Sequence, residues 1–328
     1  MQDNPFLYAG AEGLLDIVKL TIDAGADTKL TNSYGGTALI PASEHAYVEV
    51  VKELLTRSSI DVNHVNNLGW TALLEAIILG DGGPRHQKVV QLLIDHGADV
   101  RIADNNGVTP LMHARDRGFT EIEQILLKES KNVEAFINAA EKGDTPAVLS
   151  FLKKGVDINS KDAKGRTAVM AATHGNHPET VEALIQEGAD INIRDNRSDN
   201  PFLYAGAEGL LEILKLTIDA GADAKLTNRF NGTALIPASE HAHVEVVKEL
   251  LERTDVDVNH INRSGWTALL EAIVLGDGGL NHQKVVQLLV DHGANVQIPD
   301  KAGVTPLQHA KKRGYTNIEQ ILLKAGAK

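Results

Sequence analysis

Two carboxylate–imidazole combinations stand out among the residues able to do chemistry. Glu75 and Glu271 hold corresponding positions, and the matching slot of the next short segment holds His113 and His309. If neighbouring segments stack, Glu75 comes toward His113 and Glu271 toward His309. A carboxylate beside an imidazole is raw material for acid–base chemistry. It is also a common way for buried polar groups to satisfy each other. Neither combination comes with a nucleophile, a third ligand or a recognisable pocket, so both read as structural polar pairs and no catalytic residue is assigned. The other histidines are scattered. His86 and His282 follow Asp81 and Asp277, His96 and His292 lie near helix ends, and His45 and His241 lie on the side expected to face a partner. A metal site needs three or four converging ligands with a supporting shell, which these positions do not assemble. The chain has no cysteine, which removes disulfides, thiolate catalysis and cysteine–zinc sites. The Asp-Gly-Gly runs at Asp81 and Asp277 lack the strand-to-helix setting of a phosphate loop and read as extended turns. No cofactor is expected.

The elements that hold these residues follow from two nested periods. The stretch Asp3 to Lys128 returns from Asp199 to Lys324, displaced by 196 without a gap and with roughly four residues in five identical. Inside each copy, and between them, runs a shorter beat of about 33 residues. Its clearest statements are Gly107-Val108-Thr109-Pro110-Leu111 with Gly118 and Ile125-Leu126-Leu127, and Gly303-Val304-Thr305-Pro306-Leu307 with Gly314 and Ile321-Leu322-Leu323. Weaker ones begin at Gly36, Gly69 and Gly165. Each beat predicts two short helices. Thr caps the first. Pro fits its opening turn, where the missing amide has no partner anyway. A glycine such as Gly97 takes positive φ after the second. Helices this short do not stand alone in water, so each must bury its apolar face on its neighbours.

The Thr-Pro-Leu element with Gly-Ala-Asp at this period resembles the ankyrin-repeat family over essentially the whole chain. The resemblance implies an all-α solenoid of about ten helix-turn-helix units joined by short β-hairpin or turn connections. Units start near Asp3, Ser33, Asn67, Asn105, Lys131, Ala163, Asn196, Arg229, Arg263 and Lys301. There are departures. Met112 and Gln308 replace the usual His, Glu75 and Glu271 occupy a usually apolar slot, and Asp81 to Arg85 and Asp277 to Asn281 add residues between helices. These oddities, with Leu73-Leu74-Glu75-Ala76-Ile77, also resemble small bacterial ankyrin proteins of the YahD type. The expected organisation is a first copy over 1–130, two linking repeats over 131–198, and a second copy over 199–328 that ends in a cap, all in one continuous solenoid. The junction at Lys131-Asn132 lacks the Asp-x-x-Gly hairpin and is the expected bend or weak seam.

Composition narrows the partners. The net charge of −12 argues against a nucleic-acid binder, which needs a basic stripe, and is compatible with a basic protein partner. No run of about 20 apolar residues exists to span a membrane. The expected location is the cytoplasm; an exported form with its signal removed stays open. The chain begins in mid-repeat at Asn4-Pro5. A first helix face carrying Leu7, Tyr8 and Leu14 is therefore expected to be sticky and open to end-to-end self-association.

In ankyrin proteins, partners meet the hairpin tips and the exposed face of the first helix. On that surface the sequence places Trp70 with Leu79, Tyr34, Glu44 and His45, and in the second copy Trp266 with Leu275, Phe230, Glu240 and His241. Aromatic anchors with apolar neighbours are what interfaces use. The alternative is that each Trp covers the stem of a neighbouring side chain or packs under the extra Asp-Gly-Gly loop. The expected function is a non-catalytic protein–protein interaction scaffold with an unidentified protein partner. A structural or engineered duplicated repeat protein, self-associating and without a dedicated partner, is the runner-up.

Overall fold

The computed structural model describes residues 4–328, which form nineteen helices and no strand among them. In order these are α1 Pro5–Ala11, α2 Leu15–Asp23, α3 Leu39–Glu44, α4 Val48–Arg57, α5 Ala72–Ile78, α6 Pro84–Asp95, α7 Pro110–Asp116, α8 Thr120–Glu141, α9 Thr145–Lys153 and α10 Ala168–His174. They continue as α11 Pro178–Gln186, α12 Pro201–Glu208, α13 Leu211–Asp219, α14 Leu235–Glu240, α15 Val244–Arg253, α16 Ala268–Val274, α17 Leu280–Asp291, α18 Pro306–Arg313 and α19 Thr316–Lys324. They pair as antiparallel helix hairpins. Helix α8 serves two pairs, because it runs unbroken through Lys131 and Asn132, where the sequence suggested a bend. Two compact units result: Met1–Ala135 with Phe151–Ser160, and Phe136–Ser150 with Lys161–Lys328.

Within each unit the first helices pack on first helices and the second on second, as α3 does on α5 and α4 on α6. The apolar stripe of each helix fills the layer between neighbours. Leu73, Leu74 and Ile77 of α5 and Val89, Val90 and Leu93 of α6 are fully buried. The duplicated α16 and α17 bury the matching Leu269, Leu270, Ile273, Val285, Val286 and Leu289. Burying a side chain of this size is worth about 1.5–3 kcal/mol, and only the neighbouring repeat offers the surface to do it.

The connections are turns clamped by one side chain. The Asn66 N–H donates to the Trp70 carbonyl at 3.0 Å, and Asn66 Oδ1 accepts from the N–H groups of Leu68 and Trp70 at 2.9 and 3.0 Å. The same pattern recurs at Asn32, Asp104, Asp162, Asp195, Asn228, Asn262 and Asp300. The fourth residue of each turn has positive φ and is Gly in six of them, with Ser198 and Asn231 in the others. Neighbouring tips are also joined, by Asn67 N–H to the Tyr34 carbonyl and Arg263 N–H to that of Phe230, both at 2.9 Å. With one arm-to-arm bond per turn, no strand ladder develops.

Caps follow the sequence, with one informative failure. The hydroxyls of Thr71, Thr109, Thr167, Thr267 and Thr305 accept from the amide three residues on. Thr37 and Thr233 are buried without a partner for Oγ1. The cause is Pro41 and Pro237, which carry no N–H for the i+4 bond. The Ile40 and Ile236 amides turn instead to the Thr37 and Thr233 carbonyls, both at 3.2 Å, and leave the hydroxyls unmatched.

The extra Asp-Gly-Gly turns lie under aromatic rings from the following repeat. Gly82 and Gly278 both have positive φ, and a Cβ on either would run into the ring of Phe119 or Tyr315. Gly303 also has positive φ, but a Cβ there meets nothing. Gly303→Ala is therefore expected to cost the left-handed penalty alone, about 1–2 kcal/mol. Gly278→Ala adds a ring clash and is expected to cost distinctly more, as measured by denaturant unfolding.

Candidate functional site

The first helices and turn tips of the repeats at Asn32 and Asn66 enclose an open cavity of about 200 Å³. Tyr34, Glu44, Leu68, Trp70, Glu75 and Leu79 contribute to its wall. Tyr34 and Leu68 come from the turn tips, where the clamp leaves their side chains outside. Trp70 occupies the last turn position, Glu44 and Leu79 end their helices, and Glu75 rises from the middle of α5. Four of the residues expected to bind a partner thus meet at one place: Tyr34, Glu44, Trp70 and Leu79. His45 is exposed and turns toward the Tyr47 ring, 5.6 Å away. In the second copy Trp266 is half-buried, while Phe230 and Leu275 are exposed. His241 is likewise exposed and lies beside His243. A second cavity of about 570 Å³ adjoins the first along Asn32, Tyr34 and Pro41 and reaches Leu7 and Tyr8. The rings nearest Gly82 and Gly278 of the Asp-Gly-Gly loops are those of Phe119 and Tyr315.

The Glu75–His113 and Glu271–His309 pairs do not form. Glu75 Oε1 accepts from Asn66 Nδ2 at 2.8 Å, and Glu271 Oε1 from Asn262 Nδ2 at 2.7 Å. His113 Nε2 meets Asp104 Oδ2 at 3.0 Å, and His309 Nε2 meets Asp300 Oδ2 at 2.8 Å. The partner lies nine residues back, in the repeat's own turn. The turn residue spends Oδ1 on the backbone and offers its other atom inward. In these four repeats an amide donor meets Glu and a carboxylate acceptor meets His. The signal was present in the sequence as Asn66 with Glu75 and Asp104 with His113 at one spacing.

The electrostatics follow this arrangement. Glu75 is 5% exposed. Burial, and then the neighbouring Glu44 carboxylate, push its pKa up to about 7 despite the Asn66 hydrogen bond. Burial also pushes Glu271 up to about 7, against the pull of Asn262 and with the charge of Glu240 adding to the rise. Asp104 and Asp300 go the other way, held below the usual carboxylate range first by the Val108 and Val304 amides and also by their histidines. No nucleophile stands beside any of these groups. His86 bridges Asp81 Oδ1 at 2.7 Å and the Glu44 carbonyl at 2.8 Å, tying the extra loop to the end of α3, and His282 does the same with Asp277 and Glu240. Among the described residues no three His, Asp or Glu side chains converge as metal ligands, and no helix is long and apolar enough to cross a membrane.

The duplication supplies an internal control for the first helix pair. Tyr8, Leu14 and Ile17 are 58%, 38% and 41% exposed, and Leu7 is half-buried. Their counterparts Leu203 and Ile213 are buried, and Tyr204 stacks on His174 with ring centroids 4.0 Å apart. The difference is α10 and α11, which pack on α12 and α13. The expected apolar face is therefore present on α1 and α2.

Comparison with known proteins agrees with this architecture. The profile described as "Ankyrin repeats (3 copies)" matches residues 6–104, 82–137, 136–225 and 202–300. The chain is 46% identical over 198 residues to the ankyrin repeat protein YahD of Escherichia coli (strain K12), an alignment covering 60% of this chain and 98% of that protein. It is 30% identical to a B-cell lymphoma 3 protein homolog of Mus musculus over 52% of this chain and 40% of that one. A solved ankyrin repeat domain from Acinetobacter baumannii AYE superimposes with a TM-score of 0.57 at 51% identity, covering 59% of this chain and 98% of that chain. The ankyrin repeat protein EF0377 gives 0.56 at 40% identity, covering 58% and 98%.

The raised carboxyl groups make stability depend on pH. Folding raises the pKa of Glu75 and Glu271 from 4.5 to about 7, so the folded chain holds more protons across that interval. Stability then falls as pH rises from about 4.5 to 7. Glu75→Gln combined with Glu271→Gln keeps the acceptor for Asn66 and Asn262 and removes the titration. The expected result is a melting temperature higher than the parent's by several degrees at pH 8, at about 2–4 °C per kcal/mol for a unit of this size. At pH 5 the expected gain is much smaller. Differential scanning calorimetry at the two pH values checks this.

Proposed function

The chain belongs to the ankyrin-repeat family, and we propose that it is a non-catalytic scaffold binding a protein partner through its turn tips and the exposed face of its first helices. The observation that carries this reading is the convergence of Tyr34, Leu68, Trp70 and Leu79 with Glu44 around one open cavity. A half-exposed Trp beside exposed apolar side chains is the composition of interface anchors. The turn tips are also where the two copies diverge. Ser33, Asn67, Leu68 and Asn105 become Arg229, Arg263, Ser264 and Lys301, while buried differences such as Val18 to Leu214 are mild apolar swaps. Tips tolerate change without harm to the core, so the copies supply two related surfaces of different charge. Two such sites engaging one partner gain avidity from effective concentration. The cytoplasm remains the proposed location.

A second reading rests on the apolar face of α1 and α2, whose counterpart on α12 and α13 is covered by a helix pair. Under that reading a second copy of the chain covers the face. A molar mass by light scattering that stays monomeric from micromolar to near-millimolar concentration removes it.

For the leading reading, affinity capture from cell lysate compares the parent chain with Trp70→Ala/Trp266→Ala at matched stability. The expected outcome is a protein held by the parent and lost from the variant, with at least a tenfold weakening for each anchor, about 1.4 kcal/mol. Equal retention by both removes the tryptophans as anchors.

A further inference from the structure

We propose that the cavity between Tyr34, Trp70, Glu44 and Glu75 in the first copy receives an arginine side chain from a basic segment of the protein partner. This rests on the protein-binding reading and specifies the chemistry of one contact.

Three observations lead to it. First, the cavity is acidic and has no internal cation. No Lys, Arg or His is among its lining residues, and the side-chain donor to Glu75 is the neutral Asn66. On its other side the buried Glu75 carboxyl faces that of Glu44. When Glu75 is protonated its own hydroxyl bridges to Glu44, and once it ionises the two carboxylates have no donor between them, which is costly for a buried group. A guanidinium offers five donors in a planar fork and matches paired carboxyl groups.

Second, the cavity has aromatic walls that suit a cation. Tyr34 is 67% exposed and Trp70 half-buried. A guanidinium over such a ring gains further attraction.

Third, the second copy already carries the contact in its own chain. The Arg229 guanidinium lies 4.7 Å over the Phe230 ring. These are the counterparts of Ser33 and Tyr34, so the aromatic face that holds an arginine in one copy is left without one in the other. An arginine of the chain itself thus stands over the tip aromatic in the second copy, and the first copy offers the same face to an external one.

Neighbouring charges do not already serve this purpose. From α3 the group facing Glu75 is Glu44. His64 in the preceding connection is bound to the Gly35 carbonyl, and His86 of α6 to Asp81 and the Glu44 carbonyl. His113 of α7 is bound to Asp104, and Arg117, which follows α7, to the Ile78 and Gly80 carbonyls. A bound guanidinium favours ionised Glu75, so binding releases a proton and strengthens as pH rises through about 7. Between pH 6 and pH 8 the ionised fraction, and with it the apparent affinity, rises about tenfold.

The test titrates the full chain, labelled with nitrogen-15, with the blocked peptide acetyl-Gly-Ser-Arg-Ser-Gly-amide. The same peptide with citrulline in place of arginine is the control, and the indole N–H resonances are followed by NMR. The expected result is a saturable shift of the Trp70 indole, with a Kd on the order of 1 mM for so small a ligand and little response to citrulline. The affinity should be about tenfold higher at pH 8 than at pH 6, as the ionised fraction requires. Glu75→Gln should weaken it at least tenfold. Ser33→Arg, at an exposed tip remote from the core, should block it by giving the first copy its own arginine. Arg229→Ser should open a second site that shifts Trp266. No saturable shift, an equal response to citrulline, or binding unchanged in both Glu75→Gln and Ser33→Arg overturns the proposal. If the peptide fails while the tryptophan double variant still loses its protein partner, the cation site falls and the scaffold reading stands.

Discussion

A turn of five residues cannot satisfy its own amides, and in this protein one side chain does it for them. The Asp or Asn that opens each turn accepts from two backbone N–H groups, while its own amide reaches the carbonyl of the last turn residue. Everything outward of that clamp is tip, and everything inward is the start of a helix. Because the turn is fixed, the residue at its end is fixed too, and that is the position of Trp70 and Trp266. The helices are short and gain their stability from the layer they share with neighbours. The clamp sets the angle at which each pair enters that layer.

The clamp has a second consequence inside the protein. In four of the eight turns its spare atom meets, nine residues on in the first helix, a side chain of opposite hydrogen-bonding character; in the others that position is Pro41, Ala171, Tyr204 or Pro237. Asn66 and Asn262 meet glutamates, and Asp104 and Asp300 meet histidines. Glu75 and Glu271 are therefore explained by architecture, and their raised pKa values follow from burial beside a neutral partner. The same geometry leaves Glu75 exposed on one side to the Glu44 carboxyl. A group held in place for structural reasons thereby becomes one wall of a recognition cavity.

Much of this was legible in the residues. The period, the Thr caps and the Pro-led first turns lead directly to paired helices; the slot before Thr points to Trp70, the turn tip to Tyr34 and the end of the first helix to Glu44 and Leu79, and these residues line one cavity. The partner of Glu75 was not found, because stacking arguments assume that equal slots of successive repeats face each other. Hydrogen-bonding groups instead take the nearer partner within one repeat. The missing Asp-x-x-Gly at Lys131-Asn132 was visible, but reading it as a bend overlooks that nothing there breaks a helix, and α8 runs through. The unmatched Thr37 and Thr233 hydroxyls were legible only through Pro41 and Pro237, whose missing amides reroute the hydrogen bonds of the first turn.

The central claim is that Glu75, His113, Glu271 and His309 are placed to complement the clamp nine positions before them. A double-mutant cycle on Asn66→Asp and Glu75→His, read by denaturant unfolding at pH 8, tests this most directly. Asn66→Asp alone places a second carboxylate against Glu75 and is expected to destabilise by about 1–3 kcal/mol, the cost of an unmatched buried polar group. Adding Glu75→His recreates the Asp104–His113 pairing and is expected to recover most of that loss, with a coupling of at least about 1 kcal/mol. Additive losses from the two substitutions would contradict the account and leave Glu75 without its structural explanation.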